Sequence, residues 1–206
     1  MFQKILSNLA GRKYVPATAE DFYNAISAAM PVPKGDIVIG DMLSRYTPEE
    51  YALMKLFLSP DRQSGYALKN GDELVSVFSI PGGRGRDIAA EAVLGGARRL
   101  DNYDVRGKLP GLYGSVGFEE VGRYPFNPEY ATNLSANAQD LAPDFVEMVM
   151  SPRVSSELGR LRGAGIEDLN RIVAGGTGRL SRRKDVQNTA GLAALLTMLA
   201  AGSEER

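Results

Sequence analysis

The sequence predicts an α/β or α+β protein with a mixed sheet. Three observations carry this prediction: helical and extended patterns alternate from residue 18 to residue 150, an Asn-Gly pair at positions 70 and 71 separates two extended runs, and a glycine-rich turn joins the second run to a helix. The resulting order of helices, hairpin, helix, strand, helix and strands is typical of a layered sheet with helices packed on it.

The first two predicted helices begin at capping residues. Thr18 precedes a helix over residues 18–30 that Pro31 ends. Thr47 begins a second helix over residues 47–58, with Pro48 at its first position and Glu50 placed to complete a capping box. Its apolar stripe consists of Tyr51, Met54, Lys55 and Leu58.

The later elements follow from turns and periodicity. Asn70 and Gly71 both tolerate positive φ, which predicts a hairpin whose second strand is Leu74 to Ile80. A helix follows from Asp87 to Arg99, and we interpret Gly95 and Gly96 as close-packing positions within it. The remaining predicted elements are a strand near 99–104, a short helix near 109–116, and strands at 118–124 and 144–150.

The 206 residues suit one main domain, residues 1–152, followed by a basic, glycine-rich tail, residues 153–206. Two helices are expected in the tail, around 155–173 and 188–201. The second is apolar nearly all round, so we expect it to dock on its own domain or to form a homo-oligomer or assembly contact. We interpret residues 174–184 as a flexible basic connector.

Composition excludes several functions. The chain has no His, Cys or Trp, which excludes a His-based triad, a thiolate nucleophile and a Cys/His zinc site, and no acidic cluster indicates a metal site. The net charge is −1, and residues 151–206 have nine Lys and Arg against six Asp and Glu, an excess too small to indicate nucleic acid as a partner. We expect no membrane span and no secretory signal, and therefore a cytoplasmic protein.

The turn "IPGGRGRDIAAEA", residues 80–92, joins a strand to a helix. Such a junction presents backbone N–H groups and the positive end of the helix dipole, which together bind phosphate. Arg84 and Arg86 favour that interpretation, although the motif is neither a P-loop nor a full dinucleotide fingerprint, and a plain turn is the alternative.

The segment "LPGLYGSVGFEEVGRY", residues 109–124, places a Tyr-bearing helix and a Gly-Phe pair about thirty residues after this turn. The combination resembles the GNAT superfamily of N-acetyltransferases over roughly residues 14–152. The segments "VSVFS", "GARRLDNYD" and "LPGLYGSVGFEEVGRYPFNPEYA" are also similar in sequence to acetyltransferase-like proteins of bacteriophages and mobile elements. The resemblance implies a mostly antiparallel twisted sheet flanked by helices, with acetyl-CoA as co-substrate and an amine as acceptor.

The resemblance also implies roles for individual residues. Tyr113 corresponds to the family's proton donor to the CoA thiolate, and Asp101 and Asp104 are the candidates for general base, ahead of Glu73. Residues 20–60 and the loop 127–143 would set the choice of acceptor. The residues expected to hold acetyl-CoA through the strand and the turn are Val77, Phe78, Ser79, Gly83, Arg84, Gly85, Arg86, Asp87, Ile88 and Ala89.

Asp87 occupies the position where the family loop has glycine, if the loop is aligned on its helix from Arg84 to Ala89. A shifted register would place Gly82 or Gly85 there instead, and the sequence leaves both open. Two hypotheses follow. The first is an N-acyltransferase that uses acetyl-CoA, and the second is a non-catalytic structural or virion-associated protein of the same fold, whose tail docks on a partner.

Overall fold

A sheet with helices on both faces forms the protein. The computed structural model describes residues 14–163, except residues 45 and 133. The strands are β1 (Val15–Pro16), β2 (Pro33–Lys34), β3 (Ile37–Val38), β4 (Lys55–Leu58), β5 (Ser64–Lys69), β6 (Glu73–Ser79), β7 (Arg99–Tyr103), β8 (Phe118–Tyr124) and β9 (Phe145–Met150). The helices are α1 (Ala19–Ala29), α2 (Pro48–Tyr51), α3 (Gly85–Gly95), α4 (Lys108–Gly114), α5 (Ala136–Asp140) and α6 (Pro152–Gly163), with 3₁₀ turns η1 (Ile39–Met42) and η2 (Val105–Gly107).

Seven of these strands form one mixed sheet in the order β1-β4-β5-β6-β7-β9-β8. β6 and β7 are parallel, and the other neighbours are antiparallel. β2 and β3 form a separate two-stranded hairpin. The prediction of an α+β protein with a mixed sheet is therefore confirmed.

Two apolar clusters cover the two faces of the sheet. Leu74 of β6 belongs to the first cluster, together with Ile88 of α3 and Tyr113 of α4. Val75, the next residue of β6, belongs to the second cluster, together with Phe22 of α1. Because successive residues of a strand point to opposite faces, α3 and α4 lie on one side of the sheet and α1 lies on the other.

The predicted hairpin at Asn70-Gly71 is confirmed, and both residues have positive φ, 53° and 85°. Further along, Gly65 pairs with Phe78 and Ala67 with Val75, so two residues of β6 lie opposite one residue of β5. This is a β-bulge, and Ser76 within it has a φ of 53°. The Ser76 hydroxyl lies 2.9 Å from the Tyr51 hydroxyl of α2, which holds the bulge in place.

β6 and β7 pair only where they begin. Only Glu73 and Arg99 pair along the β6–β7 boundary in the described part of the chain. The later residues of β6 consequently have no ladder partner on that side, and a gap opens between two adjacent parallel strands.

Two predicted helices are shorter than expected. The caps at Thr18 and Thr47 form as predicted, and Thr47 and Glu50 complete the capping box. The second helix nevertheless ends at Tyr51, and residues 55–58 form β4 instead, because Leu56 and Leu58 alternate into the second cluster between β1 and β5.

α3 includes Gly95 as predicted, but the prediction that it continues beyond Gly95 to Arg99 is wrong. Gly96 has a φ of 122° and ends the helix, since left-handed backbone at this position cannot extend a right-handed helix. Arg99 therefore lies in β7 rather than in a last helical turn.

The beginning of the predicted tail lies on the main core. α6 begins at Pro152, Leu158 is buried in the first cluster, and Val154 packs against it. The connector 174–184 and the helix 188–201 lie outside the described residues. Within the described residues, none of the helices has the length and apolarity that a membrane crossing requires.

Candidate functional site

The gap between β6 and β7 opens into a cavity of about 610 Å³. Its walls come from β6, from the glycine-rich turn and α3, from β7 and α4, and from the β2–β3 hairpin with η1. A volume of this size is typical of small-molecule sites. Among the predicted cofactor residues, those that line the cavity are Val77, Phe78, Ser79, Gly83, Arg84, Gly85 and Ile88.

The turn delivers the N-terminus of α3 to the cavity wall. Gly83 has a φ of 85°, and no described atom lies within 4 Å of the position its Cβ would occupy. At Gly85 a Cβ would lie 2.8 Å from the Leu112 side chain, so α3 begins in close contact with α4. The eleven-residue helix α3 therefore directs its positive end at the same space that α4 borders.

Arg84 is hydrogen-bonded to Asp61, which precedes β5, and to Ser64, the first residue of β5. Its Nη1 donates to both carboxylate oxygens of Asp61, at 3.0 and 3.3 Å, and to the Ser64 hydroxyl at 3.2 Å. Ser64 in turn contacts the Tyr14 hydroxyl at 2.9 Å. This network fixes the glycine-rich turn against the sheet, and it also neutralises part of the charge of Arg84.

The carboxylate of Asp87 belongs to the side of α3 that faces away from the cavity. Arg86, Asp87 and Ala89 do not contribute to the cavity lining. Burial raises the pKa of Glu91 to about 7, and the charge of Asp87 makes a smaller contribution in the same direction. Asp87 lies at the third position of the helix, one turn before Glu91, so the two carboxylates share a side of α3.

Tyr113 of α4 lines the cavity from the side of the first cluster. Its ring packs edge-on against Phe118, with centroids 6.1 Å apart. Burial above all, and then the charge of Asp101, raises the pKa of the phenol. Tyr113 therefore keeps its proton at neutral pH and can offer it as a hydrogen-bond donor.

Asp101 of β7 also lines the cavity. Desolvation raises the pKa of its carboxyl, although the residue is exposed, and the charges of Glu73 and Glu147 raise it further, whereas Lys69 lowers it. A carboxylate with a raised pKa is a stronger base than an ordinary aspartate, and its charge in turn acts on the Tyr113 phenol.

Asp104, the other candidate base, lies elsewhere. Its Oδ2 accepts from Arg123 Nη1 at 2.9 Å, and the same guanidinium contacts Asp144 and Glu120. It does not contribute to the cavity lining. The structure thus brings Asp101 and Tyr113 together with the glycine-rich turn and separates Asp104 from them.

Asn102 lines the cavity beside Asp101, and it was not predicted as a site residue. Both polar atoms of its amide, Nδ2 and Oδ1, are buried and have no hydrogen-bond partner among the described residues. An unpaired buried donor or acceptor costs about 1–3 kcal/mol, so a ligand that supplied both partners would recover that cost.

The β2–β3 hairpin supplies the part of the wall that sequence reasoning missed. Lys34, Gly35, Asp36 and Ile37 line the cavity, and Lys34 Nζ donates to the Ser79 carbonyl of β6 at 3.3 Å. The signal was present in the sequence, since Gly35-Asp36 is a two-residue hairpin turn. It was overlooked because Pro31 and Pro33 were interpreted only as the end of the preceding helix.

Comparison with protein-family models, with curated proteins and with solved structures finds no match to this chain. Within residues 14–163, excluding 45 and 133, no three acidic side chains group as a metal site requires. Fold and cavity together define an α+β protein whose mixed sheet opens between two parallel strands into a ligand-sized space.

Proposed function

We propose that this protein is an N-acyltransferase of the GNAT type, which transfers the acetyl group of acetyl-CoA to an amine. One observation carries the proposal: the unpaired side of β6, the N-terminus of α3 and the Tyr113–Asp101 pair border a single cavity. Each of the three matches a different part of the reaction.

The first two match acetyl-CoA itself. Helix N-termini bind phosphate through backbone N–H groups and the helix dipole, and the turn at Gly83 to Gly85 provides this end of α3 for the pyrophosphate. The pantetheine arm carries amide groups, which pair with an unpaired strand side as an added strand would. β6 beyond Glu73 has such a side, and the orphaned Asn102 amide offers a further donor and acceptor.

The third feature, the Tyr113–Asp101 pair, matches the chemistry of acetyl transfer. The thioester supplies an acyl carbon that an amine attacks directly. Asp101 accepts one proton from the ammonium, the neutral amine forms the new C–N bond as the C–S bond breaks, and the Tyr113 phenol donates to the departing sulfur. The second proton that the nitrogen loses on becoming an amide restores the phenol. Backbone N–H groups in residues 77–79 are available to the thioester carbonyl oxygen.

A binding measurement with two glycine variants tests the proposal. Gly83 and Gly71 both have a φ of 85° and open space at the Cβ position, so alanine strains the backbone equally at either site. Only Gly83 lines the cavity. Isothermal titration of acetyl-CoA into the full chain should show saturable binding, weakened about tenfold by Gly83→Ala, the loss of one hydrogen bond to a charged group.

Gly71→Ala is the matched control and should bind as the wild type does. Absence of binding heat at millimolar acetyl-CoA would contradict the proposal, as would equal weakening in both variants, because the effect would then come from backbone strain alone.

The second candidate is a non-catalytic protein of the same fold. The pairing of Arg84 with Asp61 and Ser64 favours it, because a guanidinium engaged in this way is less available to a pyrophosphate. The same titration separates the candidates, since a purely structural role predicts no acetyl-CoA binding with or without the alanine at Gly83.

A further inference from the structure

The cavity has two sides that differ in chemistry. Glu73 and Arg99 are in register, and so Asp101 lies on the same face of the sheet as Val75, whereas Asn102 lies on the face of Leu74 and Tyr113. If acetyl-CoA occupies the Tyr113 side, as proposed above, the Asp101 side is left for the acceptor.

The Asp101 side has an apolar wall. Ile37 of β3, Met42 of η1 and Leu141 after α5 all line the cavity and belong to or pack on the same apolar cluster. Val105 of η2 is a further member of the cluster that lines the cavity. Asp101 therefore lies beside an apolar surface, and Lys34 and Asp36 of the hairpin add charged groups to the wall of the same cavity.

The apolar wall is held in place by hydrogen bonds between distant segments. The buried Asp41 of η1 accepts from the Ser135 backbone N–H at 2.7 Å and from the Ser135 hydroxyl at 2.9 Å. Asn137 Nδ2 donates to the Asp36 carbonyl at 3.1 Å. The hairpin region and the segment around α5, about a hundred residues apart, are therefore joined, which fixes Ile37, Met42 and Leu141 relative to one another.

We propose that the acceptor is a small primary amine with an apolar body, whose nitrogen lies at Asp101 and whose body packs on Ile37, Met42 and Leu141. The inference rests on the proposed acetyl transfer and narrows its substrate class. Transfer gives an N-acetyl amine, free CoA thiol and one proton released to solvent: the ammonium nitrogen gains the acyl carbon and loses two protons, one to solvent by way of Asp101 and one that balances the proton gained by the sulfur.

Thiol release measures the reaction cleanly because the chain contains no Cys. The full chain with saturating acetyl-CoA is assayed with phenethylamine, ethanolamine and a lysine-containing peptide, against a reaction without amine. Burying a phenyl group is worth about 2 kcal/mol, so kcat/KM for phenethylamine should exceed that for ethanolamine roughly 30-fold. The lysine side chain carries no ring or branch beyond its methylene chain, so the peptide should also be a poorer acceptor than phenethylamine.

Two methionine variants localise the effect. Met42→Gln places a polar group in the apolar wall and should reduce the preference for phenethylamine at least tenfold, the cost of burying one partly compensated polar group. Met54, equally half-buried but packed on the second cluster outside the cavity, provides the control, and Met54→Gln should leave the preference unchanged.

The outcomes separate the two proposals. Acetyl-CoA binding with equal or better use of ethanolamine or the peptide, or with no thiol release from any of the three, overturns the acceptor inference and leaves cofactor binding intact. Absence of acetyl-CoA binding overturns the proposed function and the inference together.

Discussion

Asp101→Asn should lower kcat for acetyl transfer about 10²- to 10³-fold while acetyl-CoA binding stays close to that of the wild type. The substitution retains the shape of the side chain and removes the base that accepts the ammonium proton. The pH profile provides a second readout. Because desolvation and neighbouring carboxylates raise the pKa of Asp101, wild-type kcat/KM should fall on acidification at a pH above the ordinary range of an aspartate.

This fall of kcat/KM on acidification, the acidic limb of the pH profile, should be missing in Asp101→Asn. Glu147→Gln removes a negative charge that faces Asp101 across the β7–β9 ladder, so the limb should move to lower pH in that variant. Glu119→Gln, on the exposed side of β8, is the control for kcat. If Asp101→Asn keeps wild-type kcat and the same acidic limb, Asp101 is not the base.

Gly65→Ala should destabilise the protein by roughly 3 kcal/mol, the upper part of the usual range for overpacking. A Cβ at Gly65 would lie 2.6 Å from the Phe57 carbonyl oxygen and 2.9 Å from the Phe78 ring. The first of these is backbone of the neighbouring strand, so β4 and β5 must move apart. Urea denaturation gives the change in the free energy of unfolding.

Gly111→Ala should change the free energy of unfolding in the opposite direction, measured by the same urea denaturation. Gly111 lies within α4, and no described atom lies within 4 Å of its Cβ position. Alanine there should stabilise the protein by about 0.8 kcal/mol, the difference in helix propensity. A loss below about 0.5 kcal/mol for Gly65→Ala would show that the sheet opens at this point without strain, contrary to the close approach of the strands.

Local signals in the sequence predicted much of the fold. The capping residues Thr18 and Thr47 located two helix starts, and Asn70-Gly71 located the hairpin. The helix after Thr47 was extended too far because Tyr51, Met54, Lys55 and Leu58 also match a helical stripe. Burial between β1 and β5 decides the conformation of residues 55–58, and that information is not local.

The candidate site was predictable where one continuous pattern encodes it. Residues 77–79 and 83–85, with Ile88, line the same cavity as Tyr113. The acceptor side was not predictable, because Ile37, Val105 and Leu141 meet there from three distant segments. Nor does sequence show that Asp104 pairs with Arg123 while Asp101 faces the cavity.

The most direct test of the central claim is amide hydrogen exchange of the full chain with and without acetyl-CoA. The gap beside β6 should be filled by the pantetheine arm and the turn by the pyrophosphate, so exchange should slow at residues 76–79 and 83–88. Residues 118–124 of β8, at the far edge of the sheet, should be unaffected. Unchanged exchange in β6 and the turn, or protection confined to other elements, would contradict acetyl-CoA binding in this cavity.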